Sequence, residues 1–303
     1  MGVTLKKAEE GFELPDEFRA IVGGEYEALR FFDDCVYDEE KGYNTYKLVT
    51  PNGAFVCKKY AYPEDREDEE KQYALLSGLP VPKALCWGED CMLMEFAEGD
   101  DLKSASEDGV RAFAKSLTAV MNAFPMGRCY DDKRYLRYMK RLERRALCLD
   151  EEPELKRAFG VFFERQKEIP ITLSNGDLLP INVLYDGVKA TIIDWEFGGF
   201  LPYALDIARF IAHCRPNGEV TSFKMTDESK RLFLDLVYDG LEVKPAREVF
   251  DRDIKLALLN EYVEILEYYL NDRTAERGKV YEDYYPRAKE LAWEINKVMA
   301  DNF

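Results

Sequence analysis

Three oxygen-bearing side chains sit in one short span of this sequence, Leu173 to Gly198, which reads LSNGDLLPINVLYDGVKATIIDWEFG. Asp177 is followed five positions later by Asn182, and Asp194 comes near the end of the span. Between them stands Asp186-Gly187, flanked by Val183-Leu184-Tyr185 and by the run Val188 to Ile193. Asp-Gly between apolar runs is a strong hairpin signal, because the turn residues must accept positive φ. A hairpin returns its second strand to where the first began. Asn182 and Asp194 therefore fall at one end of the ribbon, beside the loop that carries Asp177. Phosphoryl transfer needs such a cluster: a base to orient and deprotonate an attacking hydroxyl, and hard oxygen ligands for Mg²⁺ bridging nucleotide phosphates.

An Asp, an Asn five residues on, and a strand-end Asp form the order in which protein kinases set their base and metal ligands. The span resembles that of the aminoglycoside phosphotransferase and choline kinase superfamily. The usual pattern there is His-Gly-Asp, an Asn five after the Asp, then Ile-Asp-Trp or Ile-Asp-Phe. Here the residues are Asn175-Gly176-Asp177, Asn182, and Ile193-Asp194-Trp195-Glu196. The resemblance implies Asp177 as catalytic base and Asn182 and Asp194 as Mg²⁺ ligands. Asn175 departs from the family's His, at a position expected to support the loop rather than perform chemistry. The implied fold class is α+β and protein-kinase-like, with a small, mainly β N-lobe over residues 1–97 and a larger helical C-lobe over 98–303. ATP is expected in the cleft between them.

The elements that must position these groups follow from pattern. Residues 5–30 read as a leading segment and a helix starting at Leu14-Pro15-Asp16, and Phe31 to Val36 as a strand. Asp38 to Thr45 is a turn where a phosphate-covering loop would lie. It resembles the family's degenerate loop and brings Asn44 to the nucleotide; a plain hairpin loop is the alternative. After the Pro51-Asn52-Gly53 turn, Ala54 to Ala61 returns as a strand bearing Lys58 and Lys59. Side chains alternate along a strand, so only one lysine can face the cleft. Val56 shares its face with Lys58, and the small apolar residue two before the phosphate-holding Lys belongs against adenine, which selects Lys58. A charged helix over 63–77 would supply its Glu partner: Glu69, counted back along Leu76 and Tyr73, with Glu70, one residue on, as the alternative. Cys91 to Gly99 resembles the hinge, with adenine pairing to main chain at Glu95 and Ala97.

Beyond Gly99 the period becomes helical. Helices are expected over 104–124 (stripe Val110, Phe113, Leu117, Val120, Met121), 131–149, 153–167, 202–213, 227–239, 246–271 and 281–301. The second is rich in Lys and Arg and reads as a solvated face. Asp206 lies in a segment resembling the family's Asp-Leu-Ala, whose Asp braces the catalytic loop. Glu261, Glu264 and Tyr268 share a helix face and, with Glu196, are candidate contacts for a cationic substrate, through acids or a cation–π cage. A surface Glu pair with core aromatics is the alternative.

The 303 residues carry 42 basic and 59 acidic side chains, a net charge of −17. Nucleic-acid binding needs basic faces and is not expected; an acidic field favours a cationic small substrate. Seven scattered cysteines without a Cys-x-x-Cys pair point to a reducing cytoplasm, and no apolar run has membrane-spanning length. The short path from Asp194 to Pro202 lacks a protein-kinase activation segment, so a small-molecule hydroxyl is the expected acceptor. Three readings stay open: an aminoglycoside-phosphotransferase-type kinase, a choline or amino-alcohol kinase, and an ATP-binding pseudokinase acting through a partner.

Overall fold

The computed structural model describes residues 3–33, 41–127, 130–272 and 274–301. Val36, at the end of the expected strand, and Asp38 to Glu40, at the start of the expected phosphate loop, lie outside them. The N-terminal region contains β1 (Val3–Lys7), α1 (Asp16–Val22), β2 (Glu27–Asp33), β3 (Lys41–Thr50), β4 (Gly53–Lys59), α2 (Pro63–Leu75), β5 (Ala84–Trp87) and β6 (Cys91–Glu95). The strands form one antiparallel sheet of order β1-β2-β3-β4-β6-β5. The helix starts at Asp16, as expected, and covers residues 16–22, while residues 5–30 also hold the end of β1 and the start of β2, which pair through Leu5↔Phe31 and its neighbours. Lys6 and Lys7 obscure the period of β1 in the sequence, and its pairing supplies the order that the local pattern lacks.

Alternation along β4 and β6 sorts the sheet into two faces. Cys57, Cys91 and Leu93 pack outward with Leu48 under Phe18 and Val22 of α1. Met92 and Met94 face inward, Val56 packs against that same core, and Tyr73 and Leu76 join it from α2 and its end. That inner core continues without a break into the C-terminal region.

There the chain forms β7 (Asp100–Asp101), α3 (Glu107–Ala123), α4 (Lys133–Leu147), α5 (Pro153–Gln166), β8 (Ile171–Ser174), β9 (Val183–Tyr185), β10 (Ala190–Ile192), β11 (Gly199–Pro202), α6 (Ala204–Ala212), α7 (Asp227–Gly240), α8 (Arg247–Asn271) and α9 (Lys279–Asp301). The helices follow the apolar spacing. Val110, Phe113, Leu117, Val120 and Met121 are all buried on α3, whose Ser106 N-cap accepts from Gly109 N. A second core joins Leu142 of α4, Phe159 and Phe162 of α5, Leu259 of α8 and Tyr284 of α9. Between the two regions, Gly99 takes φ +124, and a Cβ there would stand 2.6 Å from the Tyr185 backbone. Only glycine allows the linker to pass so near the β9 strand, to which Asp100 then pairs.

Candidate active site

The loop carrying Asp177 leaves β8 at Ser174 and is tied down from three sides. Asp206, on α6, accepts from Asn175 N at 2.6 Å and from Gly176 N at 3.0 Å. Burial pushes its carboxyl up, and these backbone donors counter that. Asn175 is fully buried. Its Nδ2 donates to the carbonyls of Ile193 (3.1 Å) and Asp194 (2.9 Å), and its Oδ1 accepts from Asp177 N (3.2 Å). The side chain therefore pins the Asp177 loop to the end of the hairpin. Gly176, at φ +80, lets the Phe197 backbone press against the loop; a Cβ would sit 2.4 Å from the Phe197 carbonyl oxygen.

The hairpin has the expected register, with Ala190↔Tyr185 and Ile192↔Val183, and Ile193 N donates to Asn182 O at 2.9 Å. Its turn differs from the tight Asp-Gly form. Residues 186–189 connect the strands and only Gly187 has positive φ. Asp186 Oδ1 accepts from the N–H groups of Val188 and Lys189, a side-chain-stabilised turn. The second strand accordingly starts at Ala190, two residues later than the apolar run suggests. Asn182 and Asp194 nonetheless stand at one end of the ribbon. Asn182 donates through Nδ2 to Asp177 O at 2.7 Å, which leaves its Oδ1 available. Asp194 has φ +58, a left-handed backbone that Asp tolerates better than most residues and that is concentrated at functional sites.

Lys58 reaches across from β4. Its Nζ lies 2.9 Å from Glu69 Oε2, 3.1 Å from Glu196 and 3.8 Å from Asp194. Burial alone would depress this amine; the three carboxylates outweigh it and raise its pKa. The neighbours sort out as alternation requires. Lys59 turns to the other face, over the rings of Phe12 and Tyr46, and Glu70 pairs with Arg66 at 2.9 Å. Asp194 is 42% open to the cleft, yet burial by the cleft walls pushes its carboxyl up to about 6; Lys58 pulls it down, and Glu196, Glu69 and Asp177 add to the rise.

This donor set suits Mg²⁺. A crowded, poorly solvated carboxylate gains from a divalent cation, and the free Asn182 Oδ1 is a hard ligand. Among the described residues no group of three His, Cys, Asp or Glu side chains could hold a metal alone. The remaining ligands would have to come from phosphates and water, as is usual for Mg²⁺. Asn44 lies in the same cavity as Lys58, with its Oδ1 3.4 Å from Arg30 Nη2. At the hinge, Glu95 N donates to Lys83 O, so that N–H is unavailable to adenine, whereas Ala97 has no hydrogen bond among the described residues.

The candidate substrate acids are placed differently from expectation. Glu261 is buried, with Oε2 2.8 Å from Arg209 Nη1 and 3.5 Å from His213 Nε2. Burial would raise its carboxyl, but Arg209 and His213 hold it below the usual range. Glu264 pairs with Arg145 at 3.0 Å, and Glu196 is held by Lys58. Tyr268 is 65% exposed and packs edge-on against Tyr269. No ammonium cage forms from these residues, because arginines from α4 and α6 reach the acids first. Sequence reasoning missed Arg209. Its Nε and Nη2 lie 2.7 and 2.5 Å from Asp177 Oδ1, so it holds the candidate base while also pairing with Glu261. The signal was present: Arg209 stands three residues after Asp206, on the helix face that meets the Asp177 loop.

The Phosphotransferase enzyme family model matches residues 40–225, well over half of the chain. The chain belongs to this family. Its fold is protein-kinase-like, as in three solved structures. The choline kinase LicA from Streptococcus pneumoniae has a TM-score of 0.57 at 16% identity, over 83% of this chain and 90% of that one. A Plasmodium vivax ethanolamine kinase has 0.53 at 14%, over 96% and 80%. An aminoglycoside-3'-phosphotransferase of type VIII has 0.52 at 21%, over 81% and 97%. LicA has also been solved in complex with AMP. No curated protein matches this phosphotransferase. Among its described residues no helix is long and apolar enough to cross a membrane.

Proposed function

We propose that this phosphotransferase is an ATP-dependent kinase acting on a hydroxyl of a small molecule, with residues 1–97 and 98–303 as its two lobes. One observation supports the reading: direct contacts link Asn182 to Asp177, Asn175 to both Asp177 and Asp194, and Asp194 to Lys58 and its partner Glu69. Lys58, braced by Glu69, holds nucleotide phosphates, with Asn44 on the covering loop and adenine against the backbone near Glu95 and Ala97. Asn182 and Asp194 hold Mg²⁺, which supplies charge neutralisation at the phosphates when bound. Asp177 orients the acceptor hydroxyl and takes its proton. The hydroxyl oxygen bonds to the γ-phosphorus as the bond to the β,γ-bridging oxygen breaks, releasing ADP. Asn175 and Asp206 position the loop.

A cationic acceptor, the expectation from net charge, would need free carboxylates. Glu196, Glu261 and Glu264 each already face a lysine or arginine, so that expectation lacks local support. The family reading is tested by Mg²⁺-dependent ATP turnover with amino alcohols, aminoglycosides and hydroxy acids. Asp177→Asn should keep nucleotide binding and lower transfer roughly a hundredfold or more; unchanged turnover would remove Asp177 from the reaction. Nucleotide binding with silence across the whole panel would favour a pseudokinase that acts through a partner.

A further inference from the structure

The charge of one cleft wall opposes the charge of the chain. Helix α4 carries seven basic residues and one acid, Glu143, in a protein of net charge −17. Its apolar side, Tyr135, Tyr138 and Leu142, is buried in the second core. That orientation puts Arg134, Arg137 and Arg141, spaced three and four apart, along one edge. The three line a cavity of about 530 Å³ that Lys58, Asn44 and Glu196 also line. Most of the basic run is exposed, Arg137 and Arg141 included, as expected of a solvated face, and one edge of it also borders this cavity.

The charges in this cavity do not cancel. Lys58, Arg134, Arg137 and Arg141 face it against three acids, Asp65, Glu69 and Glu196; Lys59 borders it only through its stem, its ammonium lying over Phe12 and Tyr46. Two of those acids are spent on Lys58. Arg134 is partly engaged, donating to Glu196 O at 3.0 Å and lying 4.0 Å from Asp68. Arg137 and Arg141 have no hydrogen bond or ion pair among the described residues. The cavity also adjoins the reacting groups, because Phe197 lines it and presses on Gly176, one residue before Asp177. Unpaired guanidinium groups in a concave wall concentrate positive potential, and their planar forks match phosphate and carboxylate oxygens.

Resting on the kinase reading above, we infer that the phosphoryl acceptor is itself an anion: a small hydroxyl compound whose phosphate or carboxylate sits on Arg137 and Arg141 while its hydroxyl faces Asp177. Lys58 serves the nucleotide, and the α4 arginines serve the acceptor.

Thermal shift with ADP and Mg²⁺ comes first. A wild-type protein that does not respond would defeat the kinase reading, and this inference with it. At saturating ADP and Mg²⁺, glycerol 3-phosphate and glucose 6-phosphate probe the phosphate source, glycerate and gluconate the carboxylate source, and choline and kanamycin the opposite charge, all at matched ionic strength. The expected result is stabilisation of wild type by at least one anionic probe. Arg137→Glu/Arg141→Glu should weaken that probe's apparent affinity tenfold or more, with an unchanged ligand-free melting temperature, and Arg137→Lys/Arg141→Lys should restore part of it. If the Glu variant is unstable, the Lys variant and Arg137→Gln/Arg141→Gln carry the comparison. The inference is overturned if no anionic probe stabilises wild type, if wild type and charge-reversed protein respond equally, if only choline or kanamycin stabilises, or if the loss falls on ADP rather than on the probe.

Discussion

Asn175→His restores the residue expected at this position, and its cost can be worked out from the hydrogen bonds. The Asn175 amide gives two bonds, to the Ile193 and Asp194 carbonyls, and accepts one from Asp177 N. A neutral imidazole has one N–H and one acceptor nitrogen, so it can keep at most two of the three. One neutral bond is worth about 1 kcal/mol net. Asn175→Ala loses all three and leaves the Asp177 N–H buried without a partner, for roughly 3 kcal/mol. Urea denaturation of both variants, read against wild type, measures these costs. In turnover, the His variant should stay within about tenfold of wild type, a barrier change of roughly 1.4 kcal/mol, because the loop remains pinned to the hairpin end. The Ala variant should fall further, chiefly in kcat. Ala within 1 kcal/mol of wild type with normal turnover would refute the pinning role. A stable His variant that has lost all activity would instead give Asn175 a direct part in the reaction.

Three other outcomes follow from the cleft. Glu69→Gln should lower kcat/KM for ATP by roughly tenfold or more, since it removes the charge that braces Lys58, whereas Glu70→Gln should change stability by only about 0.5 kcal/mol and turnover hardly at all, its partner being an i,i+4 arginine near the surface; equal effects would undo the assignment. Arg209→Met strands the buried Glu261 carboxylate and should cost about 3 kcal/mol in chemical denaturation, with Arg209→Met/Glu261→Gln recovering much of it; additive losses would show that the pair is not coupled. The Asp194 carboxyl, raised to about 6, binds a proton in the folded state at a pH where the unfolded chain has released it, so without metal its contribution to stability grows as pH falls through 6. Mg²⁺ competes with that proton, and its affinity in the presence of ADP should drop about fourfold between pH 7.5 and 5.5 beyond the nucleotide's own titration. Calorimetry at the two pH values checks this, and a pH-independent affinity would contradict it.

What the sequence disclosed about this site was what local spacing controls. Asp177, Asn182 and Asp194 are joined by a short loop and a hairpin, and alternation together with the placement of Val56 separated Lys58 from Lys59. The apolar stripe placed α3 and its buried face correctly. The misses arise where distant chain segments decide. Residues 3–7 become a strand only because β2 pairs with them. Glu261 and Glu264 share a helix face, but which cations meet them depends on how α6 and α4 cross α8. The same crossing turns the arginines of α4 toward the cleft, which the helical period of α4 could not indicate. Arg209 is the exception: its three-residue spacing from Asp206 already places its charge on the helix face that meets the Asp177 loop.

The continuous core beneath the sheet bears on control of the enzyme. Tyr73 and Leu76, four and seven residues beyond Glu69, are buried with side chains from both halves of the molecule. Swinging α2 outward, as a helix must to separate Glu69 from Lys58, would return both to water at about 4 kcal/mol. Roughly one molecule in a thousand would then be in the disengaged form at any moment. The Lys58–Glu69 pair is then assembled in nearly every molecule, and an on–off movement of this helix would add little control.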